Sequence, residues 1–99
     1  MTISAHPRMA ELEQRFLVGL GRRTSDLSVA LNGAADSESL MRMFHSLVGI
    51  GGTYGYPAIT ETSRACEALC LNAMEEHRAI TFDEKKRLGA AIVSIAAQH

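Results

Sequence analysis

The sequence FHSLVGIGGTYGYP, residues 44–57, combines an amphipathic helical pattern with more glycine than a packed helix requires. It contains four glycines: Gly49, Gly51, Gly52 and Gly55. Each glycine inside a helix costs about 1 kcal/mol relative to alanine, so several in one helix require an explanation. Bare backbone lets a large partner approach a helix closely. The histidine of this stretch, His45, is the residue that such a partner would reach.

Hydrophobic residues recur every three or four positions before and within this stretch, which indicates helices. The first helix is predicted from Met9 to about Leu31, and the internal glycines Gly19 and Gly21 allow a bend or a break. The second helix begins after Asp36, whose carboxylate suits an N-cap, and it carries the histidine.

Two further helices follow the connection at residues 54–57. The third is predicted to begin at Pro57, which suits a first helical turn, and to end near His77. Its apolar seam is predicted to comprise Ile59, Thr62, Cys66, Leu69 and Ala73. The fourth opens with a capping box between Thr81 and Glu84. We therefore predict an all-α fold, an antiparallel four-helix bundle.

The composition is that of an ordinary soluble domain. The chain has 99 residues, a formal net charge of -1 and 46% hydrophobic residues. This balance provides no basic surface for nucleic acid or an anionic membrane. No apolar run is long enough to span a membrane, and the first residues lack the pattern of a signal peptide. We predict a cytoplasmic monomer with one domain at residues 8–99, preceded by a flexible leader at residues 1–7.

Three soft ligands share one stripe of the third helix: Cys66, Cys70 and His77. Zinc binds such side chains but requires four tetrahedral partners. The same stripe is the packing seam, where cysteine behaves as a small hydrophobic residue. We predict reduced cysteines and no metal site, and a small metal-binding bundle is kept as an alternative.

His45 falls on the outer flank of the second helix. At about 100° per residue, Gly49 and Gly52 lie on the same flank, one and two turns further on, whereas Phe44 and Leu47 lie on the apolar seam. An exposed neutral imidazole is a nucleophile that can form covalent intermediates. A phosphoryl group is a suitable group for such an intermediate, because its transfer depends mainly on positioning and charge neutralisation.

The sequence HSLVGIGGTYGYP, residues 45–57, resembles the signature of histidine phosphotransfer (HPt) domains. In that family a glycine lies one turn after the active histidine, followed by mostly small residues, a larger apolar residue and another glycine. These places are occupied here by His45, Gly49, Gly51-Gly52-Thr53, Tyr54 and Gly55. The predicted helix order of nearly the whole chain also agrees with the four-helix bundle of the family.

One position departs from the family pattern. The family usually has a lysine three residues after the histidine, where it helps to hold the phosphoryl group, and this chain has Val48. Arg42, one turn before His45 on the same side, is the candidate substitute, although it could equally pair with Glu38. The missing lysine leaves an alternative open, a degenerate helical adaptor that binds a kinase or receiver without carrying phosphate.

The resemblance implies a phosphoryl carrier of a two-component phosphorelay rather than a turnover enzyme. His45 would accept a phosphoryl group from a response-regulator receiver aspartate or from a hybrid sensor histidine kinase, and would pass it to another receiver aspartate. The receiver would supply the magnesium, so no cofactor is expected on this chain. The candidates for access and docking are Met41, Val48, Gly49, Ile50 and Gly52.

Overall fold

The computed structural model describes residues 7–98, with side chains described from residue 11 onwards. Its four α-helices are α1 (Pro7–Asn32), α2 (Ser37–Tyr54), α3 (Pro57–Glu75) and α4 (Phe82–Ala96). No strand occurs among the described residues, and the predicted all-α fold is confirmed. Of the predicted leader, residues 1–6 lie outside the described part of the chain, and Pro7 is the first residue of α1.

The helices form an antiparallel four-helix bundle, as predicted. Each helix packs against its neighbour in sequence, and α1 also packs against α4. The most extensive contact joins α2 to α3. The molecule is elongated, measuring 53 × 20 × 17 Å, because α1 alone has 26 residues. None of the described helices is both long enough and apolar enough to cross a membrane.

One hydrophobic core runs through the bundle, and every helix contributes to it. Its largest fully buried apolar side chains are Phe44, Leu20, Leu27, Leu47, Ile59, Leu88 and Ile95. Burial of one such side chain contributes about 1.5–3 kcal/mol, which exceeds the difference in helix propensity between any two residues other than proline. These positions therefore fix the rotation of each helix and decide which of its residues face outward.

Side-chain caps define where two helices begin. The Asp36 carboxylate caps α2 by accepting a hydrogen bond from the backbone N–H of Ser39 at 2.9 Å. In the capping box of α4, the Thr81 hydroxyl accepts from the N–H of Glu84 at 3.1 Å, and the Glu84 carboxylate accepts from the N–H of Thr81 at 2.9 Å. Both caps agree with the sequence predictions. Gly55 ends α2 with a φ of 78°, a left-handed conformation that glycine adopts without strain.

The structure refines two features of the predicted helices. Helix α1 is continuous through Gly19 and Gly21, because Leu20 between them is buried and holds this turn against the bundle. Helix α3 ends at Glu75 rather than near His77. His77 has a φ of 52°, a left-handed backbone conformation that stops the helix before this residue.

The buried stripe of α3 is also shifted from the predicted seam. Ser63 and Cys70 are fully buried, whereas Thr62 and Leu69 are only half-buried. Small side chains on this line let α3 approach its neighbours closely. The half-buried residues then form a flank of α3 and not its centre.

Candidate functional site

His45 lies in the middle of α2, and its side chain is 71% exposed. Its Nδ1 lies 2.5 Å from Oε2 of Glu67 on α3. The Glu67 side chain is only 17% exposed, so the carboxylate is held against the bundle. A carboxylate can only accept a hydrogen bond, and the contact therefore favours the tautomer that carries its proton on Nδ1. Nε2 then keeps its lone pair and is the nucleophilic nitrogen.

The buried neighbours of His45 fix its outward orientation. Phe44 and Leu47 are fully buried. Gly51, further along α2, is buried as well, and a Cβ added there would overlap the Thr60 side chain and lie 2.9 Å from the Thr60 backbone nitrogen. Helix α2 can therefore approach α3 closely only because position 51 is glycine. This close packing brings an α3 carboxylate within reach of the imidazole.

The surface of α2 beyond His45 is bare. A Cβ added at Gly49 or Gly52 would meet no other atom within 4 Å among the described residues. These two glycines are therefore not required for packing within the bundle, in contrast to Gly51. They leave space beside the imidazole that an approaching protein surface could occupy.

A shallow groove of about 300 Å³ lies between the end of α2 and the first turns of α3. Gly52 and Gly55 line one side of it, and Thr60 and Arg64 line the other. The groove therefore continues the bare surface of α2 towards a cationic side chain of α3.

Val48, at the position where the family usually has lysine, is half-buried. Its carbonyl oxygen accepts a hydrogen bond from the Thr60 hydroxyl at 3.1 Å. This bond ties the backbone of α2 to the stripe of α3 that also carries Glu67. The valine packs and supplies no charge to the outer surface.

Arg42, the residue predicted to support a phosphoryl group, is engaged in an ion pair. Its Nη2 lies 2.7 Å from Oε2 of Glu38, and the two side chains are 73% and 52% exposed. An exposed pair at this spacing contributes about 0.3–0.5 kcal/mol, so it can be exchanged for another anion. The role of Arg42 stays a prediction.

The residues predicted for docking differ in exposure. Met41 and Ile50 are partly buried and pack against the core, and Val48 is half-buried. Gly49 and Gly52 are exposed. The three apolar side chains therefore offer a partner only part of their surface, and their contribution to docking stays a prediction.

Two residues of α3 are absent from the sequence predictions: Glu67, which contacts His45, and Arg64, which lies about one turn before Glu67. Thr60, Arg64 and Glu67 are spaced by four and three residues, so they form one stripe of α3. This spacing is visible in the sequence. Which flank of α3 faces His45 depends on how the two helices pack, and the helical pattern alone does not determine it.

The alternative metal site finds little chemical support. Cys66 and Cys70 are buried and free. Burial raises the pKa of both thiols to about 11, which disfavours the thiolate form that binds zinc. His77 lies in the exposed turn after α3. Within residues whose side chains are described, no group of three or more His, Cys, Asp or Glu is placed to hold a metal ion.

The structure is a four-helix domain that presents an exposed histidine beside two exposed glycines. The family model of the Hpt domain matches residues 11–97, and the chain therefore belongs to the Hpt domain family. The recognition based on residues 45–57 is confirmed. Membership implies, in general terms, histidine phosphotransfer in a phosphorelay through contact with receiver domains or kinases. No curated protein and no solved structure matches the chain at a significant level.

Proposed function

We propose that this protein is a histidine phosphotransfer protein of a two-component phosphorelay in which His45 is the phosphoryl acceptor. The observation that carries the proposal is the 2.5 Å contact between His45 Nδ1 and Glu67 Oε2 on an exposed face. It orients a nucleophilic nitrogen towards solvent beside the two glycines that lack packing contacts, Gly49 and Gly52. The proposed partners are response-regulator receiver domains and hybrid sensor histidine kinases.

The transfer exchanges one bond to phosphorus for another. Nε2 of His45 attacks the phosphorus of a receiver aspartyl phosphate in line, and the N–P bond forms as the bond from phosphorus to the aspartate oxygen breaks. The aspartate leaves with the electron pair as a carboxylate. Positive charge develops on the imidazole during this step, and the Glu67 carboxylate stabilises it through the Nδ1–H hydrogen bond. The reverse reaction passes the phosphoryl group to a second receiver.

Magnesium belongs to the partner in this proposal. Receiver carboxylates would hold the magnesium ion, and the ion would neutralise charge on the phosphoryl oxygens. This chain would supply the nucleophile and an open surface. Gly49 and Gly52 allow the receiver to bring its aspartate close to Nε2, because no side chain projects from α2 at these positions.

The proposal is tested by phosphoryl transfer to the purified protein. A panel of receiver domains, each carrying labelled phosphate on its aspartate, is incubated with wild type and with His45→Ala. Wild type should acquire label that is labile in acid and stable in alkali, as expected for a phosphohistidine, and His45→Ala should acquire none. Label that persists in His45→Ala would show that another residue is the acceptor.

A degenerate adaptor is the second candidate, and the observation that favours it is the uncharged, half-buried Val48. An adaptor would bind a kinase or receiver without accepting phosphate. Receiver binding measured by calorimetry, combined with the absence of label from every donor, would support this candidate over the carrier.

A further inference from the structure

We propose that Arg64 of α3 supplies the positive charge for the phosphoryl group on His45, replacing the lysine that the family usually carries at the position of Val48. The inference rests on the proposed phosphotransfer function. It assigns the missing charge to a different helix, and it makes Arg64 a residue that contacts the transferred group.

The register of α2 against α3 places Arg64 near the imidazole. Two contacts fix this register: Thr60 donates to the carbonyl of Val48 at 3.1 Å, and Glu67 meets His45 at 2.5 Å. Arg64 lies between these two α3 residues on the same stripe. It is three residues from Glu67, which corresponds to about 4.5 Å along the helix axis. A long side chain at this level can reach a group attached to His45 Nε2.

The positive charge of Arg64 is also available to bind an anion. Its exposed side chain forms no ion pair and no side-chain hydrogen bond within the described part of the chain. The neighbouring candidate, Arg42, is paired with Glu38 at 2.7 Å. Engaging Arg64 therefore breaks no existing pair, whereas engaging Arg42 requires the loss of one.

The surface beside Arg64 gives the guanidinium room to move. Arg64 borders the groove of about 300 Å³ that Gly52 lines from α2. The bare glycine surface between this groove and His45 lets the guanidinium lie against α2. A guanidinium presents parallel N–H donors that match two phosphoryl oxygens.

Arg64 changes no covalent bond in the step. Its N–H groups donate to the phosphoryl oxygens while the N–P bond forms and the bond to the leaving group breaks. The Glu67 carboxylate contacts the ring, and Arg64 and Glu61 of α3 both line the neighbouring groove. Glu67 acts on Nδ1, and Arg64 acts on the anionic oxygens.

The experiment uses potassium phosphoramidate as the donor, so that no partner protein is required. The donor transfers its phosphoryl group to an imidazole nitrogen and releases ammonia. Wild type, Arg64→Gln, Arg64→Lys, the rival candidate Arg42→Gln and the matched control Arg22→Gln, which removes an exposed arginine of α1, are compared. Loading is followed by intact-mass spectrometry, the phosphohistidine pKa by ³¹P NMR, and folding by circular dichroism.

Arg64→Gln should load two- to fivefold more slowly, as expected for loss of an exposed ion pair of about 0.4–1 kcal/mol. A cation favours the dianionic phosphoryl group, so its removal should raise the phosphohistidine pKa by about 0.3–0.7 units. Arg64→Lys should restore most of both effects, the control Arg22→Gln should leave both close to wild type, and Arg42→Gln should change both less than Arg64→Gln does. A purely structural role for Arg64 would not change the phosphohistidine pKa.

The assignment of Arg64 would be overturned if wild type loads at His45 and Arg64→Gln shows the same loading rate and the same phosphohistidine pKa. That result would leave the proposed function intact. The assignment of Arg64 would also be overturned if Arg42→Gln slowed loading and raised the phosphohistidine pKa more than Arg64→Gln did. A folded wild type that never loads at His45 would overturn the proposed function, and the inference about Arg64 with it.

Discussion

At the scale of single residues, the contact between His45 and Glu67 orients the imidazole and favours the tautomer with its proton on Nδ1. The ring is 71% exposed and lacks the packing that usually orients a side chain. One carboxylate, itself only 17% exposed, supplies this orientation. The site therefore depends on a single hydrogen bond between two helices.

Removal of that carboxylate should change both the tautomer and the rate. In Glu67→Ala the imidazole loses its Nδ1–H acceptor, so the population of the Nε2–H tautomer should increase. Phosphoryl acceptance should slow by roughly tenfold, at the lower end of the cost of losing a histidine-orienting partner. Nitrogen chemical shifts of the imidazole measure the tautomer, and phosphoramidate loading measures the rate.

Two further variants sharpen this test. Glu67→Gln keeps a carbonyl oxygen that can accept the Nδ1–H bond, and it should retain most of the Nδ1–H tautomer. Glu75→Ala removes an exposed glutamate from the end of α3 and should behave as wild type. If Glu67→Ala left the tautomer ratio unchanged, the contact would not be what orients the ring.

The sequence predicts the placement of some residues of the site and not of others. The outward placement of His45 follows from the helical pattern, because Phe44 and Leu47 on either side are hydrophobic. Glu67 and Arg64 do not follow from any local pattern. The contact of Glu67 with His45 is set by the packing of α3 on α2, which depends on the buried contact of Gly51 with Thr60.

At the scale of elements, α2 uses its glycines in different ways. Gly51 allows α3 to approach, and Gly55 adopts the left-handed conformation that ends the helix. Gly49 and Gly52 make no packing contact that a Cβ would disturb. The sequence places Gly49 and Gly52 on the flank of His45, and both are exposed; of the four glycines only Gly51 is buried.

Substitutions in α2 should separate these roles. Gly49→Ala and Gly52→Ala should each raise the free energy of unfolding by about 0.5–1 kcal/mol, because alanine favours the helix and the space is empty. Gly51→Ala should lower it by about 1–3 kcal/mol, since the methyl group overlaps Thr60. Urea unfolding measures all three values. Stabilisation by Gly51→Ala would show that α2 and α3 are further apart than the structure indicates.

Larger side chains at the two open positions should act on transfer and not on folding. Gly49→Leu and Gly52→Leu should keep the helical content of wild type, measured by circular dichroism. Both should block transfer from a phosphorylated receiver by filling the space beside His45. Phosphoramidate loading should continue, because this small donor does not dock. Loss of helical content in either variant would instead assign that glycine to packing.

At the scale of the whole molecule, an ion-pair cluster joins the end of α3 to the start of α4. The Arg78 guanidinium donates to the Glu84 carboxylate at 2.7 and 3.0 Å and to Glu76 at 2.5 Å. The hydrogen bonds from Arg78, followed by the one from the Thr81 backbone, lower the pKa of Glu84 from its usual 4.5 to about 2. Hydrogen bonds from Ser39 likewise lower the pKa of Asp36 at the start of α2.

Stability should therefore decrease in acid. A carboxylate whose pKa is lower in the folded state stabilises the fold above its unfolded pKa, and this contribution is lost as the pH falls through the folded value. The free energy of unfolding should fall as the pH is lowered from about 5 to about 2, and Glu84→Gln should show a weaker dependence. Urea unfolding at several pH values provides the measurement. Equal slopes for wild type and Glu84→Gln would exclude Glu84 as a source of the pH dependence.

The architecture of the bundle is largely predictable from the sequence, because it follows from hydrophobic spacing and capping residues. Asp36 and Thr81 begin their helices where local chemistry predicts. Details beyond this spacing depend on backbone conformation and on tertiary packing. His77 stops α3 early through its backbone conformation, and Leu20 keeps α1 continuous between two glycines.

Glu67 and His45 lie on different helices, so loss of tertiary structure separates them even where the sequence motif is intact. Residues 37–57 contain the whole recognisable motif, yet a peptide of that sequence would carry a histidine without its orienting carboxylate. The proposed phosphoacceptor chemistry therefore depends on the tertiary structure and should be lost as the bundle opens. A destabilising change at a distant core position, such as Ile92, would look like a signalling defect while leaving every residue of the motif in place.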